Sequence, residues 1–157
     1  MKKCPDHTCP HRSLERRTLL KAGAAGTLLA ALPVACNNTV SPPTGPVSAG
    51  NVSQTTVGQL TAVSGEAVFL GRDADGLYAV SAACTHAGCM LNATHASAGA
   101  EQLSCPCHGS VFDANGAVLR GPAGTPLPHF QVDVATDGTI TIQGAQEVSA
   151  ETRTPVA

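Results

Sequence analysis

Between residues 67 and 142 the apolar positions come in short bursts and not on a helical stripe. Ala67-Val68-Phe69-Leu70 and Leu77-Tyr78-Ala79-Val80 flank Asp73-Ala74-Asp75-Gly76, whose Asp-Gly pair has the chemistry of a hairpin turn. Val111-Phe112 and Val118-Leu119 flank Asn115-Gly116 in the same way. A third instance alternates apolar with polar: Phe130-Gln131-Val132-Asp133-Val134 and Thr139-Ile140-Thr141-Ile142 stand on either side of Asp137-Gly138. Runs this short, bounded by turn residues and without helical period, predict an all-β head whose intervening segments are loops.

The start of the chain has a different pattern. Ala22 to Ala35 is an apolar run of fourteen residues rich in Ala, Gly and Leu. It is shorter than the roughly 20 residues a bilayer span needs and suits the hydrophobic part of a signal peptide. Before it, Arg16-Arg17-Thr18-Leu19-Leu20-Lys21 resembles a twin-arginine export signal, with an ordinary secretory leader as the alternative. The run closes on Leu32-Pro33-Val34-Ala35-Cys36, which looks like a lipobox with Cys36 as the lipid-modified residue; cleavage near Ala35 or an uncleaved anchor are the alternatives. Cys4, Cys9, His7 and His11 form a small cluster ahead of the arginines, without a folded segment around them, and are read as non-functional in the mature chain.

From Asn37 the composition turns to Asn, Ser, Thr, Pro and Gly, which cannot bury a core and predicts a semi-extended tether. The expected organisation is therefore a signal peptide over 1–36, a flexible linker over 37–55, one folded domain over 56–145 and a C-terminal tail over 146–157. Such a tether would let the head move between an electron donor and an acceptor, or would be a passive spacer. The 157 residues suffice for one small domain plus a leader.

Charge divides along the same line. Lys2, Lys3, Arg12, Arg16, Arg17 and Lys21 precede the apolar run, and only Arg72, Arg120 and Arg153 follow it. Nine acids lie after residue 36, so the exported portion carries three cations against nine anions, or −6. That balance excludes nucleic acid as an expected partner.

The candidate chemistry sits in two boxes, Cys84-Thr85-His86-Ala87-Gly88-Cys89 and Cys105-Pro106-Cys107-His108-Gly109-Ser110, fifteen residues apart. Read as ligands they offer Cys84-x-His86 and Cys105-x-x-His108, with Cys89 and Cys107 left over. Two thiolates and two neutral imidazoles can hold a 2Fe-2S cluster asymmetrically, the thiolates on one iron and the imidazoles on the other. Replacing anionic ligands by neutral ones makes the addition of an electron easier and sets potentials in a range of about −150 to +300 mV. Structural zinc is the alternative for any Cys/His cluster, although six potential ligands exceed one tetrahedral ion. Plain disulfides in a secreted domain are another, which leaves His86 and His108 unexplained.

On these residues the chain resembles the Rieske 2Fe-2S iron-sulfur protein family, in its disulfide-containing, high-potential, cytochrome bc-complex-like branch. The resemblance runs from about residue 55 to about residue 145. It implies an antiparallel β-sandwich carrying a small cluster-binding subdomain of loops. It implies that Cys84 and Cys105 ligate one iron, that His86 and His108 ligate the other, and that Cys89 and Cys107 form a disulfide clamping the two loops. Gly121-Pro122-Ala123 with Pro126 and Pro128 resembles the family's proline-rich loop over the cluster. Ser110 matches the serine that donates to a bridging sulfide, while Phe112 stands where the family has a tyrosine donating to a ligand sulfur. Ala87 stands where the quinol-oxidising pattern has leucine. His95 and His129 fall outside both boxes and are expected at the surface or in loops.

The function so implied is one-electron transfer by an electron-transfer subunit, not bond chemistry by a stand-alone enzyme. The implied setting is a quinol:cytochrome c reductase-type complex, with cytochrome b, a c-type cytochrome and quinol as partners. The alternative is an electron-transfer lipoprotein or subunit serving another oxidoreductase, for example an arsenite-oxidase-like enzyme; a zinc or disulfide module is the alternative of another class. The leader places the head outside the cytoplasm, anchored on the outer face of a bacterial cytoplasmic membrane.

Overall fold

The computed structural model describes residues 39–95 and 101–156. The expected leader, with Cys4, His7, Cys9, His11, the paired arginines and Cys36, lies outside the described residues. All the described residues belong to one compact unit, Ala35–Ala157, and among them no helix is long and apolar enough to cross a membrane.

Among the described residues, ten strands build two antiparallel sheets. They are β1 (Pro46–Asn51), β2 (Gln59–Ala62), β3 (Val68–Arg72), β4 (Leu77–Ser81), β5 (Asn92–His95), β6 (Glu101–Ser104), β7 (Val111–Asp113), β8 (Val118–Arg120), β9 (His129–Val134) and β10 (Thr139–Val148). The larger sheet has the order β1-β10-β9-β4-β3-β2 and the smaller β5-β6-β7-β8. All three hairpins read from the sequence form: β3 with β4, β7 with β8, and β9 with β10. In the first, Asp73 Oδ1 accepts from the Asp75 and Gly76 amides and closes the turn.

Strands β3 and β4 read as nearly continuous apolar runs because both faces of the large sheet are covered. Val68, Leu70, Leu77 and Ala79 pack with Val47, Phe130, Val132, Ile140 and Ile142. Phe69, Tyr78 and Val80 point the other way and pack with Leu91, Leu103, Phe112 and Leu127, joining the small sheet to the large one. Cys84 and Cys105 belong to that second core, so the site is seated on the junction between the sheets.

The domain boundaries differ from those expected. The stretch 37–55 is not a free linker throughout: Pro46–Asn51 is an edge strand whose Val47 is buried and pairs with Ile142. Proline at the first residue of an edge strand leaves no ladder donor missing, and the Pro, Ser and Gly content hides the single buried valine. At the other end the body extends past residue 145. β10 continues to Val148 beyond a register shift between Gln143 and Glu147, and Thr154 exchanges backbone hydrogen bonds with Leu77.

The segment 149–156 fixes Arg153 over this junction. Its guanidinium pairs with Asp73 at 2.5 Å, donates to Asn115 Oδ1 at 2.9 Å and lies 4.2 Å from the Tyr78 ring centroid. Burial raises the Asp73 carboxyl, but the Arg153 pair and the turn amides outweigh it, and the net shift is downward. Burial pushes the Tyr78 phenol up to about 12, and its hydroxyl donates to the Ala114 carbonyl at 3.3 Å.

His129, expected at the surface or in a loop, is 2% exposed. It opens β9, stacks on Tyr78 with centroids 6.0 Å apart, and has Nε2 2.9 Å from the Asn115 carbonyl, while Nδ1 has no partner among the described residues. The adjoining Pro126 and Pro128 made it look loop-like; pairing with Val80 draws it inside. For His95 only the backbone, in β5, is described, and its side chain lies outside the described residues.

Burial lowers the His129 pKa from 6.5. Arg153 lowers it further, while Asn115, Glu151 and Asp113 oppose the shift without reversing it. The folded ring therefore stays neutral where the unfolded one takes a proton, so stability rises with pH in this window. Acidification through the ordinary imidazole value should cost stability, and His129→Asn should flatten that slope. Urea titrations on both sides of 6.5 measure it; equal slopes for both proteins would remove His129 from the account.

Candidate metal centre

The two boxes fold into the same knuckle. In the first, the Cys84 amide donates to the Cys89 carbonyl at 2.9 Å and the Gly88 amide to the Cys84 carbonyl at 2.7 Å. In the second, the Cys105 amide donates to the Ser110 carbonyl at 2.8 Å and the Gly109 amide to the Cys105 carbonyl at 3.0 Å. Each loop turns back at the fourth residue after its leading cysteine, where the backbone enters the left-handed region, with φ +70 at Gly88 and +78 at Gly109. Glycine is favoured at both positions because a Cβ is strained there.

This geometry separates the donor types. Cys84 and Cys105 are free thiols facing inward, each 3% exposed. His86 and His108 stand on the outer part of their loops, exposed, with ring centroids 4.8 Å apart and planes at 82°. Burial raises the Cys84 thiol pKa, the His86 amide lowers it, and the adjoining Cys105 raises it further. Paired buried thiols beneath paired exposed imidazoles thus match the donor set of a di-iron centre held by two sulfurs on one iron and two nitrogens on the other.

Other groups hold the loops together. Cys89 and Cys107 are joined in a disulfide, Cα atoms 6.5 Å apart. The Sγ atoms of Cys89, Cys105 and Cys107 lie within 4.8 Å of one another, and the disulfide removes two of them from any ligand set, leaving Cys105. The Gly121–Pro128 segment forms a third side. Thr85 Oγ1 donates to the Thr125 carbonyl at 2.7 Å, and the Ser110 hydroxyl, fully buried, accepts from the Ala123 amide at 2.9 Å. The Ser110 hydroxyl also counters, weakly, the upward shift that burial gives the Cys84 thiol. Phe112 is fully buried in the same core cluster as Cys84 and Cys105.

Three contacts escaped the sequence reading. The Thr85 bond to the proline loop and the Arg120 Nε bond to the Gly109 carbonyl, 3.1 Å long, join residues whose types carry no signal of their own. The third, made by Thr39 and Val40, has no sequence signal either. One signal was available for the knuckles themselves, the recurrence of cysteine and glycine four residues apart in both boxes.

A family model described as Rieske [2Fe-2S] domain matches residues 46–131. The cytochrome b6-f complex iron-sulfur subunit of Prochlorococcus marinus (strain MIT 9211) is 42% identical over 76 residues, which are 48% of this chain and 41% of that protein. The chloroplastic cytochrome b6-f complex iron-sulfur subunit of Volvox carteri is 37% identical over 93 residues, 57% of this chain and 44% of that protein. The chain thus spans less than half the length of these relatives. Among solved structures, a cyanobacterial plasma membrane Rieske protein from Synechocystis PCC 6803 is 28% identical, with a TM-score of 0.41, covering 62% of this chain and 98% of that one.

Proposed function

This chain belongs to the Rieske 2Fe-2S domain family, and on that premise we propose that it is a one-electron carrier whose cluster is held by Cys84 and Cys105 on one iron and by His86 and His108 on the other. The observation that carries the reading is the pair of equivalent knuckles, with neighbouring thiols buried and neighbouring imidazoles exposed. When bound, the cluster supplies a site that takes up and gives back one electron. The protein's own residues do the rest. The thiols keep the inner side dry, the disulfide and the proline loop fix the two knuckles, and the exposed rings of His86 and His108 offer nitrogen atoms to a partner. A ring nitrogen at that surface can accept a proton from a donor that gives up proton and electron together, as a quinol does.

The proposed setting is the iron-sulfur subunit of a quinol:cytochrome c reductase-type complex, with a cytochrome b and a c-type cytochrome as partners, supported by the names of the relatives. A second reading, an electron-transfer lipoprotein serving another oxidoreductase, is favoured by Ala87, exposed and small where the quinol-oxidising pattern has leucine. The leader pattern supports export and anchoring on the outer face of the cytoplasmic membrane through Cys36.

The test is the midpoint potential of the iron-loaded protein as a function of pH, with electron paramagnetic resonance of the reduced form. Histidine ligation predicts a positive midpoint that falls at alkaline pH, because loss of ring protons favours the oxidised state. A low, pH-independent midpoint would exclude quinol as donor, and the absence of a redox signal would overturn the carrier reading.

A further inference from the structure

The chain ahead of β1 is attached to the first knuckle. Thr39 forms an antiparallel bridge with Cys89, and the Val40 amide donates to the Gly88 carbonyl at 2.7 Å. The Val40 side chain packs on the core cluster that contains Cys84, Cys105 and Phe112. At the other end of this stretch, the Gly144 amide donates to the Gly45 carbonyl at 3.0 Å, and a Cβ at Gly144 would lie 2.5 Å from the Pro43 carbonyl oxygen. Residues 39–45 are therefore tied down at both ends, from the edge of the large sheet to the knuckle.

The second knuckle serves as an internal control. Gly88 and Gly109 occupy equivalent places with the same backbone hand. A Cβ at Gly88 would meet Thr39 Cγ2 at 2.7 Å, whereas none of the described residues lies within 4 Å of one at Gly109. A backbone strap covers the first knuckle, whereas the carbonyl of Gly109 in the second takes only the Arg120 side chain, and no described backbone crosses its Cβ direction.

We infer that Thr39 and Val40 are positioning residues for the first knuckle, holding the Gly88–Cys89 edge and with it His86 and the inner end of the disulfide. That they position a cluster ligand rests on the reading proposed above; that they clamp the loop does not. The strap also fixes where any tether meets the head. Two residues, Asn37 and Asn38, separate Cys36 from Thr39, and the three chain steps reach at most about 11 Å. A head anchored through Cys36 keeps its first knuckle beside the anchoring surface and does not swing on the long free linker that composition alone predicts.

The experiment uses the full chain. Hydrogen exchange read residue by residue should show the Val40 amide protected by about tenfold or more over the neighbouring Ser41 amide. Val40→Pro, which removes the donor, should shorten the half-life of the visible cluster absorbance several-fold with the far-ultraviolet circular dichroism intact. Val40→Ala should shorten it less and Ser41→Ala not at all. Gly88→Ala should lose absorbance faster than Gly109→Ala, and Thr39→Gly should narrow that gap. A Val40 amide exchanging as fast as that of Ser41, or a Val40→Pro protein as durable as the unsubstituted one, overturns the strap. If the unsubstituted protein shows no cluster absorbance, the carrier reading fails while amide exchange still decides the strap.

Discussion

The double substitution Cys89→Ser with Cys107→Ser is expected to strip the protein of its cluster well before it melts the sheets. Each sheet is closed by its own ladder, and neither ladder passes through the disulfide. Beyond the disulfide, the knuckles touch through the His86 and His108 rings and the adjoining thiols, which a bound cluster would itself hold, and are tied through the third loop by the bonds from Thr85 to Thr125 and from Ala123 to Ser110. Each carries one thiol and one imidazole of the proposed ligand set, so a relative drift of the loops breaks the set in half. Loss of a native disulfide from a small domain costs about 2–5 kcal/mol, and here that cost falls on loop separation more than on strand pairing. The observable is two half-lives, that of visible absorbance and that of the far-ultraviolet signal during heating. Absorbance as durable as in the parent protein would sink the prediction. So would sheets that melt together with the cluster, since the disulfide would then be stapling the whole domain.

The parts legible in the sequence were those written in local chemistry. Asp-Gly and Asn-Gly between apolar bursts located three hairpins, because a two-stranded unit is specified by its own turn and its own cross-strand pairs. The two boxes located the site, because donor type and spacing are properties of a few adjacent residues. What stayed hidden depended on residues far apart in the chain. Val47 is the buried point of an otherwise polar edge strand, and no periodicity marks one residue. His129 is interior because Val80 pairs with it across β4 and β9, and its flanking prolines pointed the other way. Arg153 and Thr39 act through the geometry of contact: the first meets Asp73, 80 positions earlier, and the second bridges Cys89. Nothing in an arginine or a threonine announces such a partner.

Phe112→Tyr is expected to raise the midpoint potential. Phe112 is fully buried, faces Leu103 and Val118 across the small sheet, and shares its core cluster with both free thiols. The resemblance drawn from the two boxes implies a tyrosine at this position, donating to a ligand sulfur. A hydroxyl donating to a cysteine sulfur stabilises the reduced state more than the oxidised one, because reduction adds negative charge. A hydrogen bond to a charged group is worth ~1.5–3 kcal/mol in total. Only the difference between the two redox states moves the potential, so about 1 kcal/mol, or roughly 40 mV for one electron, is the expected rise. The competing outcome has its own signature. A hydroxyl that finds no acceptor in this apolar core costs about 1–3 kcal/mol, which lowers the melting temperature and leaves the midpoint where it was. Redox titration and thermal melting of the same sample separate the two. A raised midpoint with stability kept would identify Phe112 as a residue that sets this chain's potential. An unchanged midpoint with lost stability would make Phe112 a packing residue and nothing more.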